Sequence, residues 1–169
     1  MEFMEVVRRR RSVRRYKADP ISQDQIMSVL EAARLAPSWA NSQCWKFVVV
    51  TDPEVKQALA KAGNEWVAQA PVIIAACADA TKPGTKGDQP YYMVDIGISM
   101  EHLILAAADQ GLGTCWIGWF DEAVARQALG VPQNIRIVAY TPLGVPDEEP
   151  APKARKSLSE IWSLNRYQA

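Results

Sequence analysis

Apolar positions recur along this chain with two periods, one helical and one suited to buried strands. Phe3, Val6 and Val7 predict a short helix that ends in Arg8–Arg11. Ile26, Val29, Leu30 and Ala33 fall on one helical face, and Ser22-Gln23-Asp24-Gln25 before them has the form of a capping box. Pro37 lies beyond the end of that helix, as a stop. Trp45–Val50 and Val72–Ala78 are short, apolar and rich in strand formers, which predicts two buried strands. Between them, Asp52-Pro53 places a cap before a proline at the first helical position, opening a helix to about Ala62 that Gly63 ends.

Thr81–Gln89 contains Pro83, Gly84 and Gly87 and predicts a loop. From about Met93 to Gln110 the pattern is helical and so largely apolar that the helix is expected to be buried on most sides, with Gly111 at its C′ position. Thr114–Ile117 and Ile135–Thr141 predict two more strands, separated by a helix that Asp121 caps and Gly130 ends. Pro142, Pro146, Pro150 and Pro152 then predict a stiff, extended segment. Ser157-Leu158-Ser159-Glu160 is a second capping box before a last short helix. No repeat, low-complexity stretch or long linker divides residues 1–169, which are read as one domain. Helices alternating with about four strands predict an α+β or α/β sandwich around a central sheet.

With 169 residues the chain can bury roughly 70% of the surface its unfolded form exposes, so a core needs neither disulfides nor metal. Basic and acidic residues balance at 19 each, which leaves no global field to draw nucleic acid or an anionic membrane. The basic residues nevertheless gather at two places, Arg8–Lys17 and Lys153–Lys156. No apolar run approaches the ~20 residues of a membrane span, and MEFMEVVRRRR lacks the order of a signal peptide. Cys44, Cys77 and Cys115 fit neither a disulfide framework nor a zinc pattern, so a reducing cytoplasm is the simplest compartment. The single histidine, His102, argues against a His-rich metal site.

Four stretches could hold chemistry. Arg10-Arg11-Ser12-Val13-Arg14 offers guanidinium forks and a hydroxyl that match phosphate oxygens, and fits a solvated basic helix end equally well. Lys153-Ala154-Arg155-Lys156 reads alone as a charged tail, yet it lies between a proline-stiffened segment and a capped helix. One anion held by both clusters would bring the chain ends together. Pro37–Gln43 sets Ser38, Asn41, Ser42 and Gln43 around Trp39, the mixture a planar ligand with a polar edge needs and also that of an ordinary turn. Gly111–Gly118 lets backbone approach a partner closely, but it is neither a Rossmann fingerprint nor a Walker A motif.

In this order and spacing, RRSVRRY, APSWANSQCWKF, APVIIAACAD, DIGISMEHLILAAADQGLGTCWIG and PKARKSL resemble the nitroreductase family of FMN-dependent oxidoreductases, from about Val7 to Leu158. The resemblance implies an α+β sandwich with a central, mainly antiparallel sheet flanked by helices, built as an intertwined homodimer with FMN in the interface. It implies that Arg10, Arg11, Ser12 and Arg14 contact the flavin, Arg14 near the pyrimidine edge and Arg10 nearer the phosphate and ribityl chain. Lys153 and Arg155 match the late phosphate-binding pair. Pro37, Ser38 and Trp39 match the segment that reaches over from the other subunit, with Asn41 supporting it. Asn64 falls near an asparagine that bonds the ring, and Trp116, Ile117 and Gly118 match the strand end whose backbone faces flavin N5 and O4. The implied activity is ping-pong hydride transfer from NADH or NADPH to a small acceptor such as a nitroaromatic or quinone. A flavin-sequestering protein without nicotinamide turnover is the rival reading.

The physics agrees with this implication. A phosphomonoester brings about two negative charges, which convergent Arg and Lys offset, and a fixed guanidinium stabilises an electron-rich reduced ring. Two departures stand out. Cys44 occupies the proline position of the family's NSQPW loop, which predicts either a thiol close to the flavin or a small buried residue. The chain also lacks the longer helical insertions of larger members, so Thr81–Gln89 and Trp119–Phe120 are the expected pocket walls.

Overall fold

The computed structural model describes residues 1–86 and 88–168; Gly87, part of the expected 81–89 loop, lies outside them. Its central sheet has four strands in the order β1 (Trp45–Val50), β2 (Val72–Asp79), β6 (Ile135–Gly144) and β5 (Gly113–Thr114), every pair antiparallel. Five α-helices surround it: α1 (Phe3–Arg9), α2 (Gln23–Arg34), α3 (Pro53–Ala60), α4 (Tyr91–Asp109) and α5 (Glu122–Leu129). The fold class is α+β.

Strand β2 shows why the sheet is covered on both faces. Its residues alternate between two cores, as a strand's period of two requires. Ile73, Ala75 and Cys77 pack with Leu59, Ala60 and Ala125 of α3 and α5, while Val72 and Ile74 pack with Val29, Leu103 and Ala107 of α2 and α4. The expected caps are all present. Ser22 and Gln25 form a reciprocal capping box, Asp52 accepts from the amides of Glu54 and Val55, and Asp121 from those of Ala123 and Val124. Gly130 ends α5 in the left-handed conformation, with φ 63°.

Four expectations change. Helix α4 is not buried on most sides. Asp95, Ile96, Ser99, Met100, Leu103, Ile104 and Ala107 form a single buried stripe, whereas Met93 and Val94 stand exposed. The 81–89 stretch is not wholly loop, because Thr85–Lys86 (β3) pairs with Gln89–Pro90 (β4). Strand β6 continues past Thr141 to Gly144, and the expected strand over 114–117 is interrupted.

The last two changes share one cause. Tyr140 exchanges both backbone hydrogen bonds with Ile117, each 3.0 Å. Two residues on, Pro142 would turn its N–H to the same edge, opposite Cys115, and proline has none to give. The Cys115 amide instead donates to the hydroxyl of Thr141 at 3.1 Å. A side chain thus takes the place of one rung, and β5 breaks at Cys115 while β6 runs on.

Candidate functional site

The RRSVRRY segment lies in the sheet plane as a partial strand. Ser12 bridges Thr114 in parallel, and the Val13 amide donates to the Thr114 carbonyl at 2.8 Å. Further along, the segment runs antiparallel to residues 145–147. Lys17 donates to the Val145 carbonyl, and Asp147 donates to the Arg15 carbonyl. Glu148 completes the join, accepting from the Arg14 amide at 2.5 Å and the Arg15 amide at 3.2 Å. Those amides, with the charge of Arg15, hold its carboxyl below the ordinary glutamate value despite opposition from burial. The early basic cluster is therefore stitched to the segment that leads into the late one.

Alternation along an extended chain sorts the side chains. By this alternation Arg10, Ser12 and Arg14 share one face; burial pushes the Cys115 thiol's pKa up, and these three groups oppose the rise. Val13 points the other way, against Gly113, and is buried. Arg11 turns to its own helix: its guanidinium donates to the carbonyls of Arg8 at 2.6 Å and Arg10 at 2.9 Å, closing the end of α1. Arg9, Arg10 and Arg11 face Glu148 and Pro152 across a hollow of about 890 Å³. Lys153 and Arg155 follow, both exposed, with Arg155 donating to the carbonyls of Lys153 and Ala154. A second hollow of about 880 Å³ is formed by residues 156–168 of the C-terminal arm and contains none of these groups except Lys156.

Beside the basic face lies the strand end Trp116-Ile117-Gly118. Ile117 is buried, and its N–H and C=O are both spent on Tyr140. Successive backbone groups on an extended strand point to opposite edges. A ligand at this strand end therefore meets Trp116 and Gly118, which are exposed, and not the Ile117 amide.

Asn64 closes one side of the same region. Its Nδ2 is 3.2 Å from the Trp119 carbonyl and 3.2 Å from the Tyr140 hydroxyl. A carbonyl can only accept, so the nitrogen must face Trp119, which leaves Oδ1 free of these two bonds. Phe120 is not a pocket wall: its ring packs on Tyr140 with centroids 5.0 Å apart. Trp119, by contrast, is 93% exposed. Tyr140→Phe keeps that ring contact and removes only the hydroxyl. It is expected to destabilise the protein by about 1 kcal/mol, a fall in Tm of roughly 2–4 °C for a chain of this size, which a thermal melt measures.

The sequence and the fold meet direct counterparts. A model of the Nitroreductase family matches residues 7–68 and 56–145. The chain belongs to the nitroreductase family. It is 32% identical over 186 residues to an NADH dehydrogenase of Thermus thermophilus, covering 90% of this chain and 91% of that protein. Among solved structures, a nitroreductase family protein from Clostridium novyi NT superimposes with a TM-score of 0.83 at 37% identity, covering 88% of this chain and 87% of that one. The NADPH:FMN oxidoreductase of Vibrio harveyi, solved with NAD⁺, superimposes with a TM-score of 0.89 at 30% identity, covering 99% of this chain and 78% of that one.

The nitroreductase-family loop at 37–44 is held in an unusual shape. Ala40, Asn41 and Gln43 have φ of 46°, 55° and 46°. Asn tolerates that region, but for alanine and glutamine it costs of order 1–3 kcal/mol each. Hydrogen bonds fix the loop: Ser42 N to the Trp39 carbonyl, Asn41 N to the Ser38 carbonyl and Gln43 N to the Ser38 hydroxyl. The exposed Pro37 precedes them. The Trp39 ring stacks on Tyr91 at 6.4 Å, and Gly84 abuts it so closely that a Cβ there would lie 2.5 Å from the ring. Gly84 is thus a wall against Trp39.

Sequence reasoning missed Asp95. It is 2% exposed and accepts from the Trp39 amide at 2.8 Å, the Ser42 hydroxyl at 3.3 Å and the Cys44 thiol at 3.6 Å. A lone acid inside the apolar run VDIGISM was the signal. Cys44 is accordingly the small buried residue of the two readings. Burial, with the adjacent Asp95, pushes its thiol up to about 11, and burial pushes Cys77 to about 11 as well. At pH 8 such thiols are about 0.1% ionised, so iodoacetamide is expected to label both at least about 100-fold more slowly than a free cysteine. Peptide mass spectrometry over time measures this, and fast labelling of Cys44 would show that the loop opens.

Proposed function

We propose that this protein is an FMN-dependent oxidoreductase that passes electrons from NADH or NADPH to a small acceptor such as a nitroaromatic or quinone. The observation that carries this reading is the alignment of Arg10, Ser12 and Arg14 on one edge-strand face beside the Trp116–Gly118 strand end. The donor set suits the cofactor: guanidinium forks for a phosphomonoester, exposed backbone and an indole for a flat ring, and the Asn64 amide oxygen for a ring N–H. Arg10 and Ser12, with Lys153 and Arg155 from the late segment, hold the phosphate end. Arg11 contributes by fixing the end of α1 from which Arg10 projects. Arg14 presents a fixed positive charge to the ring edge that becomes electron-rich on reduction. Gly118 and Trp116 offer main-chain groups to the reacting edge. Bound FMN supplies the redox chemistry, accepting hydride from a nicotinamide and releasing electrons to the acceptor.

The working unit in this reading is a homodimer in the cytoplasm. Supporting it are apolar side chains left bare on the protomer: Phe3 and Met4 of α1, Met93 and Val94 of α4, and Leu158, Ile161, Trp162 and Leu164 of the arm. Apolar side chains of this size are the kind a protein partner covers. The partner's 37–41 loop, with Pro37, Ser38, Trp39 and Asn41, then packs beside the flavin. Among the described residues no helix is long and apolar enough to cross a membrane. Steady-state oxidation of NADH and NADPH by the FMN-loaded protein, with menadione or a nitroaromatic as acceptor, tests the activity. Turnover that requires both FMN and acceptor is expected; a fully loaded dimer without turnover would favour flavin storage.

A further inference from the structure

We infer that Asp95 is a positioning residue for the flavin site of the opposite protomer, acting through the Trp39 loop. The inference rests on the reading that this loop packs beside the partner's FMN.

Its starting point is a buried carboxylate whose donors all come from one place. Burying a charge is costly unless hydrogen bonds replace its water, and bonds to an ionised acceptor are the strong ones. For Asp95 the replacements are the Trp39 amide, the Ser42 hydroxyl and the Cys44 thiol, all within residues 38–44. The carboxylate belongs to the buried stripe of α4, which is packed against the sheet and α2. It therefore ties a mobile class of element, a polar loop, to a rigid one. Strained conformations such as those of Ala40 and Gln43 persist only where the surroundings over-determine them. Asp95 does this from beneath, while Gly84 and Tyr91 confine the indole from the side.

The shortest of the three bonds falls on the Trp39 main chain itself. Fixing that amide fixes where the indole hangs, and the ring remains 42% exposed. Position set this way determines how much of a ligand-facing surface is preorganised. Asp95 touches no ligand; its effect passes through Trp39 and Ser38.

The test uses dimers of the full chain. Asp95→Ala is expected to weaken FMN binding at least about tenfold by fluorescence titration, and to alter the visible spectrum of the bound flavin. Asp95→Asn, which keeps an oxygen for the Trp39 amide, is expected to fall between it and wild type. A heterodimer of one Asp95→Ala chain with one Arg10→Ala chain then distinguishes the sites. Action across the interface puts both lesions in one site and leaves the other whole, so one FMN per dimer binds with wild-type affinity. Two weakened sites and none of wild-type affinity would overturn the inference. So would an Asp95→Ala dimer that melts lower yet binds FMN within twofold of wild type. If Asp95→Ala does not fold, Ser42→Ala/Cys44→Ala removes two donors from the loop side and takes its place in the same comparison. A wild-type protein that binds no FMN removes the functional reading and this inference together, whereas normal wild-type binding with unchanged variants removes this inference alone.

Discussion

Replacing Arg10 and Arg14 together by alanine is expected to weaken FMN binding by about 3–6 kcal/mol, roughly 10²–10⁴-fold in Kd. Each guanidinium is expected to give at least one charge-assisted bond to the cofactor, and such bonds contribute about 1.5–3 kcal/mol apiece. By strand alternation both lie on the Ser12 face of the edge segment. Neither is part of the core: Arg14 is exposed and Arg10 half-buried, so the variant should melt near wild type. Arg15→Ala is the control. Arg15 pairs with Glu148 at 3.4 Å and is two-thirds exposed, and its loss should change FMN affinity by less than about 1 kcal/mol. Fluorescence titration measures both variants against wild type. A double variant within tenfold of wild type would show that this face does not hold the cofactor.

The largest expected effect on stability is at Glu122, far from that face. Its Oε1 accepts from Arg126 at 2.8 Å and from the Ile137 amide at 2.9 Å, and its Oε2 accepts from Arg136 at 2.9 Å. Arg126 in turn donates to the carbonyls of Pro132 and Ile135, so the network fastens the turn between α5 and β6. Glu122→Ala removes several charge-assisted bonds and leaves Arg126, whose side chain is 13% exposed, short of its carboxylate. The expected loss is about 2–3 kcal/mol, after allowing for partial exposure.

The pH dependence has a definite sign. Burial alone would push the Glu122 carboxyl up, but Arg136, the Ile137 amide and Arg126 outweigh it and hold the group below its ordinary value of 4.5. A carboxylate whose folded pKa is depressed contributes fully above the unfolded value, and its contribution is lost as pH falls through the folded one. The gap between wild type and Glu122→Ala should therefore be widest above about pH 5 and shrink in more acid solution. Urea unfolding at several pH values measures it, and a gap independent of pH would contradict the assignment.

Local signals were fully legible in the sequence. Ser22, Asp52 and Asp121 cap the helices they were expected to cap, because a cap needs only its own side chain and the next few amides. Features that depend on distant partners were not. Strand β6 passes through Pro142 because Thr141 replaces a missing rung, which nothing in the local pattern foretells. The apolar richness of α4 reads as burial on most sides, when only one stripe of it is buried and Met93 and Val94 stand exposed. Within RRSVR the residue types pointed to an anion site, but only the geometry separates Arg10, Ser12 and Arg14 from Arg11, whose guanidinium serves the helix end. Asp95 was hidden for the same reason: its partners lie more than fifty residues away in the chain.

The most direct test is the absorbance spectrum of the purified protein, before and after adding FMN and then after anaerobic NADPH or NADH. Protein-bound flavin bands that bleach with the nicotinamide are the predicted result. Protein that binds no flavin would contradict the account at its centre, and bound flavin that neither nicotinamide bleaches would leave a flavin-binding fold without the proposed activity.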